Sequence, residues 1–593
     1  MCIKNNHYKE VPPKKTINSL KAILLAAGVE LNEEWLPQST AGTFSVRVTL
    51  PNSSIGTNGK GMTKDYALAS AYAEFFERFQ NRILGLSNPN RFSEVGYYRV
   101  HDERDMSISD ICLYGGAFIR YLIRSLGLQD VCSDERLKQL EILFSLRKNN
   151  KTKKYTTYPF YNVNADRLEY LPISISLPFY GSNGMSAGNS PEEALVQAFS
   201  EIFERFVQKE VISKKLALPD VPESYLQKFA NLYKIYCKMN SIENYKLYIK
   251  DCSLGGKYPV VAIVIIEIDS GKYGIHFGAH PDFGIALERA FTEASQGQDI
   301  LKFAHNCDFD FYNHRVFESS NYYNIFDIAR GKYPCEFFFK ESKYKFCVCD
   351  RFKADTNSGM LKAIIDGLKQ DGYEVLVRDS STLGFPSYHV IVPGMSELSN
   401  FSVLDAKIYN TRLYVKELLK NPGDINSTNV QLVKTIIEYY RHYYAYTNVA
   451  AIFQLHSSEI ISENLDLIFI LLLSAIYQND VSAALKCANV LLSSTKLLDI
   501  QKKAWIHVIL EYYKGVNAGY SDEQIFKCLY VLYNRDAVNE VKRMVSNPQS
   551  VFMFYLQMKE LEDTQQLKLS KYLDQREVDQ NINQLNLRGL FLS

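Results

Sequence analysis

The chain has 593 residues, more than one hydrophobic core usually organises, so two or more domains are expected. Hydrophobic residues at 46% and charged residues at 22% exclude a disordered chain, and a formal charge of +1 gives no global case for binding nucleic acid or an anionic membrane. The eleven cysteines contain no CxxC pair, which argues against a zinc or redox site and fits free thiols in a reducing cytoplasm.

In chain order, the segment from Lys14 through Ala22 to Val29 has a charged start and a short apolar stretch but no small-residue cleavage site, and it reads as an amphipathic first helix. Strand alternation follows at Phe44 to Leu50. Gly59-Lys60-Gly61 and Ser186-Ala187-Gly188-Asn189 read as glycine-containing loops just ahead of helix N-termini, where free N–H groups and the helix dipole favour phosphate. Further strands are expected at Tyr258 to Asp269, turning through DSGK into Tyr273 to Gly278, and at Glu374 to Arg378 and Tyr388 to Val392. Cys347 and Cys349 take alternate positions of another expected strand. The mixture predicts an α+β body, a mixed β-sheet with packed helices, over residues 1–420. After Asn421-Pro422-Gly423 helical patterns take over, defining an all-α region at 421–593. There the apolar run Leu467 to Ile476 is shorter than the roughly 20 residues that span a bilayer and reads as a buried helix. Leu467 to Gln478 and Val481 to Leu492, parted by Asn479-Asp480, suggest a tetratricopeptide-like hairpin, with a plain helical packing or dimerisation domain as the alternative.

The chemistry sits on a repeated helix. GKGMTKDYALASAYAEFFERF (Gly59 to Phe79) and GMSAGNSPEEALVQAFSEIFERF (Gly184 to Phe206) align so that Ala67, Ala71, Glu74, Glu77 and Arg78 match Ala194, Ala198, Glu201, Glu204 and Arg205. Leu68, Tyr72, Phe75, Phe76 and Phe79 match Leu195, Phe199, Ile202, Phe203 and Phe206, an apolar stripe that reads as core. A third, degenerate copy, HPDFGIALERAFTEASQGQ, places Ala286, Ala290 and Glu293 at the Ala67, Ala71 and Glu74 positions, with Arg289 for Ser70 and Gln296 for Glu77. The small residues, glutamates and arginine are expected to form one stripe opposite the core. A single ExxER is ordinarily a solvated face with i,i+4 pairing, but recurrence of the whole pattern in separate segments argues for a shared site. Converging carboxylates repel unless a cation neutralises them, and Mg²⁺, a hard oxygen-seeking ion that shares its shell with phosphates, suits such a set. No Ser-His-Asp or Cys-His arrangement is assignable, there is no HExxH, and His280 reads as a loop residue ahead of its helix.

These three blocks, with Asp251-Cys-Ser-Leu-Gly-Gly and Ile391-Val-Pro-Gly-Met, resemble the YcaO family over nearly the whole chain, in particular its stand-alone branch from enteric bacteria. The resemblance implies an ATP-binding fold in which Glu74, Glu77, Glu201, Glu204 and Glu293 hold magnesium, and Lys9, Thr16, Ser70, Arg78, Ser186, Asn189, Glu193, Arg205 and Arg289 contact nucleotide. It also implies ATP-dependent activation of a peptide or protein backbone amide. For the enteric-type branch it implies a cytoplasmic accessory role in methylthiolation of a small-subunit ribosomal protein, with a radical methylthiotransferase as partner and a homodimer as assembly. Two departures stand out: no proline follows Pro548, so the family's PxPxP tail is missing, and Gln298 stands where relatives commonly carry Arg. The competing reading is a nucleotide-gated scaffold that recruits the methylthiotransferase through its helical region.

Overall fold

The structure, a computed structural model, describes residues 9–591 except 53–54, 85–100, 145–147, 150–153, 174–178, 313, 340, 343, 399–401, 444–448, 454, 458–465, 494–499, 557, 561–567, 570, 574 and 577–581. The chain divides into two compact units, one of residues 1–85, 97–403 and 563–593, the other of 86–96 and 404–562.

The first unit is built on three antiparallel sheets. Asn32–Trp35, Phe44–Thr49 and Gly56–Gly61 form one in sequential order, and Tyr245–Asp251, Val260–Glu267 and Tyr273–Ala279 form a second. The third runs Arg104–Met106, Lys154–Asn162, Leu376–Asp379, Ser387–Ile391, Met185–Ala187, with Lys148–Asn149 and Arg167–Pro172 also pairing with Lys154–Asn162. Val260–Glu267 reads VVAIVIIE without alternation because it is the central strand of its sheet and is covered on both faces, by the cores around Phe277 and around Phe291.

Each acidic helix covers a sheet. Lys64–Gln80 packs on Phe44–Thr49 and Gly56–Gly61, and Phe283–Ala294 packs on Val260–Glu267 and Tyr273–Ala279. Pro191–Ser213 packs on Met185–Ala187, Ser387–Ile391 and Tyr273–Ala279 and on the helix Asn357–Gln370. Thr63, Ser190 and Asp282 cap the three N-termini by accepting the N–H of Tyr66, Glu193 and Ile285.

Gly59-Lys60-Gly61 lies within the strand Gly56–Gly61 and is not a loop, and Ser186 and Ala187 likewise belong to the strand Met185–Ala187. The glycines are there for approach. A methyl group on Gly59 would sit 2.0 Å from the Ala67 carbonyl oxygen, and one on Gly278 would sit 2.3 Å from that of Ala286. Ala67, Ala71, Ala286 and Ala290 are therefore buried against strand backbone, which corrects their expected place on the stripe of the glutamates. The segment holding Cys347 and Cys349 pairs with no strand; Cys347 N–H donates to Asp251 Oδ2, and its carbonyl accepts from Ser253 Oγ.

In the second unit, Val403–Lys420 contributes Val415, Leu418 and Leu419 to the core that also holds the helices Val430–Tyr443, Asp466–Gln478, Val481–Ser493, Ile500–Asn517, Asp522–Leu532 and Arg535–Ser546. That shared apolar face is why the division falls at 403/404 and not at 420. The segment from 563 belongs instead to the first unit, where Leu569, Leu573 and Leu587 are buried in its cores. Leu467 to Ile476 are all buried, and Asn479 turns the chain with φ 54° into Val481–Ser493. Among the described residues no helix is long and apolar enough to cross a membrane.

Candidate functional site

The polar faces of the three acidic helices line one cavity of about 510 Å³ in the first unit. From Lys64–Gln80 come Tyr66, Ala69, Ser70, Ala73, Glu74, Glu77 and Arg78, spaced three or four apart as one helical face requires. Pro191–Ser213 supplies Glu193, Gln197, Glu201, Glu204, Arg205 and Gln208, and the third helix and the turn after it supply Glu288, Arg289, Thr292, Glu293 and Gln296. Lys9 and Thr16 reach the same wall. Of the residues expected from the sequence only Ser186 lies off it; its Oγ is buried behind the wall with no hydrogen-bond partner.

One end of the cavity is organised by Glu193. Its buried carboxylate accepts from Lys9 Nζ (3.1 Å), the Glu10 N–H (2.9 Å) and Asn189 Nδ2 (2.9 Å), while Thr16 Oγ1 donates to Asn189 Oδ1 (2.7 Å). The N-terminal segment is thus fastened to the helix that carries Glu201 and Glu204.

Deeper in, Arg78 lies 3.8 Å from Glu74 and 3.4 Å from Glu77, and Arg205 lies 3.0 Å from Glu201 Oε1 in a charge contact without a directed hydrogen bond. Lys60 Nζ sits 2.7 Å from Glu293 Oε1, and Arg289 donates to Gln197 Oε1. Glu204 Oε2 is buried and accepts from nothing. Burial raises the Glu204 carboxyl to about 8, with Arg289 and Arg205 drawing it down and Glu293 and Glu201 pushing it up. Burial also holds Glu77 well above the usual range, eased by Arg78 and aggravated by Glu201 and Glu74. Glu293 goes the other way: burial pushes it up, but Lys60, His276 and Arg289 together bring it to about 2.

Among the described residues no three carboxylate, imidazole or thiol side chains converge closely enough to hold a cation on their own. The glutamates stand instead as separate oxygen donors around a space, the arrangement that suits a metal completing its shell with phosphate and water. Sequence reasoning missed Lys60 and His276. Lys60 was hidden because a GKG reads as a loop, although strand alternation sends Asn58 and Lys60 to the cavity and Thr57 and Gly59 to the helix. His276 shares the cavity wall, and its Nδ1–H donates to the Phe277 carbonyl (2.7 Å); burial lowers its pKa, and the Glu293 carboxylate opposes that shift. His280 lies off that wall, buried, its Nδ1 accepting the Asp282 N–H (3.0 Å).

Residues 58–396 match the family profile described as YcaO cyclodehydratase, ATP- and Mg²⁺-binding. The ribosomal protein S12 methylthiotransferase accessory factor YcaO of Escherichia coli K12 is 31% identical over 358 residues, 58% of this chain and 57% of that protein. An uncharacterised protein of Haemophilus influenzae is 33% identical over 351 residues, again 58% and 57%. The matched region thus spans little more than half the length of these relatives. A YcaO from Methanopyrus kandleri bound with AMPPCP and Mg²⁺ superposes with a TM-score of 0.41 at 16% identity, covering 66% of this chain and 94% of that one. A heterocyclase in complex with substrate and cofactor gives 0.44 at 19% identity, covering 65% and 53%. With more than half of the chain inside the profile, and the acidic helices that it spans lining one cavity, this protein belongs to the YcaO family, whose ligands are ATP and Mg²⁺.

Proposed function

We propose that the cavity binds magnesium–ATP and that the chain uses it to activate a backbone amide of a peptide or protein, as a cytoplasmic accessory factor in methylthiolation of a small-subunit ribosomal protein. The observation that carries the nucleotide reading is the unmet Glu204 Oε2 beside Glu201, buried in a wall of seven glutamates against five lysines and arginines. A triphosphate adds negative charge to that wall, so it enters only with divalent cations, and carboxylate oxygens are the donors magnesium prefers. Glu74, Glu77, Glu201 and Glu204 would hold the metal with Glu293, while Arg78, Arg205 and Arg289 would face phosphate. Lys9, Thr16, Ser70, Asn189 and Glu193 would hold the rest of the nucleotide, and Ser186 would support them from behind the wall.

Bound magnesium–ATP would supply a transferable phosphoryl group and offset its charge. Once a nucleophile has added to the amide carbon, the oxygen left there is a poor leaving group, and phosphorylation would convert it to one that departs as phosphate; the chain's part is to orient the nucleotide and to stabilise charge with its fixed arginines. The ribosomal part of the reading is supported by the description of the Escherichia coli relative. Phosphate release measured with and without small-subunit ribosomal protein tests it. Release that rises with substrate and is lost in E201Q/E204Q is expected. Nucleotide binding with no release in any condition would leave a nucleotide-gated scaffold, and no binding at all would remove the reading.

A further inference from the structure

The three acidic helices do not neutralise their carboxylates alike. Arg78 and Arg205 stand one turn from Glu74 and Glu201 on the same helix. Arg289, one turn before Glu293, donates instead to Gln197, and Glu293 has no arginine one turn after it, because Gly297 occupies the register position of Arg78. Its ion-pair partner comes from another element: Lys60, on the strand Gly56–Gly61, places Nζ 2.7 Å from Glu293 Oε1 and 3.3 Å from Gln296 Oε1. Both side chains remain in reach of the cavity, Lys60 with 23% and Glu293 with 17% of its side-chain surface open.

We propose that Lys60 is a phosphate-binding residue whose ammonium occupies the Glu293 carboxylate while the cavity is free of nucleotide, and which leaves it for phosphate when magnesium–nucleotide enters. The inference rests on the magnesium–nucleotide reading above. Its basis is competition at one carboxylate: a divalent cation and an ammonium sharing Glu293 repel each other, and the weaker charge yields. Lysine can yield, since its charge sits on a flexible four-carbon stem, and a phosphate arriving in the same cavity offers the displaced ammonium a new partner. Arg78 and Arg205 differ in that their carboxylates lie on their own helix, so those pairs need not open for a ligand to enter. Lys60 would thereby tie the first sheet to the third helix in one state and to the ligand in the other.

The full-length protein tests this by calorimetry with two probes, Mn²⁺ alone and a magnesium-bound nonhydrolysable ATP analogue. K60M is expected to bind the analogue about tenfold more weakly, the loss of one charged contact, and Mn²⁺ alone severalfold more tightly, because Glu293 has lost its internal competitor. A plain structural ion pair would give neither change: K60M binding the analogue within twofold of wild type, with Mn²⁺ affinity not raised, overturns the inference. If K60M does not fold, K60Q/E293Q removes both charges together and should bind the analogue about tenfold more weakly than E293Q alone, equality overturning the proposal. A wild-type protein that binds no analogue removes the nucleotide reading and this inference with it, whereas wild-type binding that K60M matches sinks the inference alone.

Discussion

The first and third acidic helices are alike where they touch strands and unlike where they face the cavity. Gly59 admits Ala67 and Ala71, and Gly278 admits Ala286 and Ala290, in the same way. On the other face Glu77 and Arg78 of the first helix give way to Gln296 and Gly297. Backbone approach tolerates one solution, a missing Cβ opposite a small residue, so the packing repeats; the face turned to the cavity is constrained only by what binds there and has diverged.

The largest effect should come from the shared core position. Phe199 and Phe291 occupy one register and are fully buried, so F199A and F291A should each cost about 3–5 kcal/mol in urea unfolding; a loss confined to one of them would break the equivalence. On the diverged face, E204Q should weaken magnesium–nucleotide binding on the order of 10–100-fold and Q296A by far less, measured calorimetrically. G59A and G278A should each destabilise by about 2 kcal/mol through the same backbone clash, and a much smaller loss for either would show that its helix can withdraw.

The smallest effect is one of sign with pH, in metal-free buffer. Glu204, raised to about 8 chiefly by burial, favours the folded state below the ordinary glutamate value near 4.3, and that contribution disappears as pH rises towards 8. Glu293, brought to about 2 by Lys60, His276 and Arg289 against its burial, favours folding above about 4.3 and loses that contribution as pH falls towards 2. E204Q should therefore flatten the alkaline limb of stability against pH, and E293Q the acid limb; the same limb flattening in both variants would erase the distinction.

The register of Glu74, Glu77, Glu201, Glu204 and Glu293 was legible because helical periodicity survives without tertiary knowledge. The strands beside them were harder. Gly56–Gly61 carries three glycines and reads as a loop by composition, yet the glycines answer a helix lying across it. Lys154–Asn162 escaped notice because it is buried almost end to end, so its period-two signal is absent, and Pro159 interrupts it. Residues joined only by the fold, such as Glu10 N–H with Glu193 across 183 positions or Lys60 with Glu293, leave no local pattern to read.

The return of the chain from the helical unit to the first unit has a consequence for the order in which this protein can form. Gln584 accepts the Asp379 N–H and donates to the Asp379 carbonyl, 205 residues earlier, and donates to Asp102, which also pairs with Arg378. Asp379 opens the Ser380–Ser387 segment, whose Ser380 Oγ donates to Asn81 at the end of the first acidic helix and whose Phe385 lines the cavity. During synthesis the Asp379 N–H and carbonyl lack these partners until the helical unit has been made, although the strand already pairs with Ser387–Ile391. The edge beside the cavity thus completes its hydrogen bonds only with a segment far downstream of every residue that lines it.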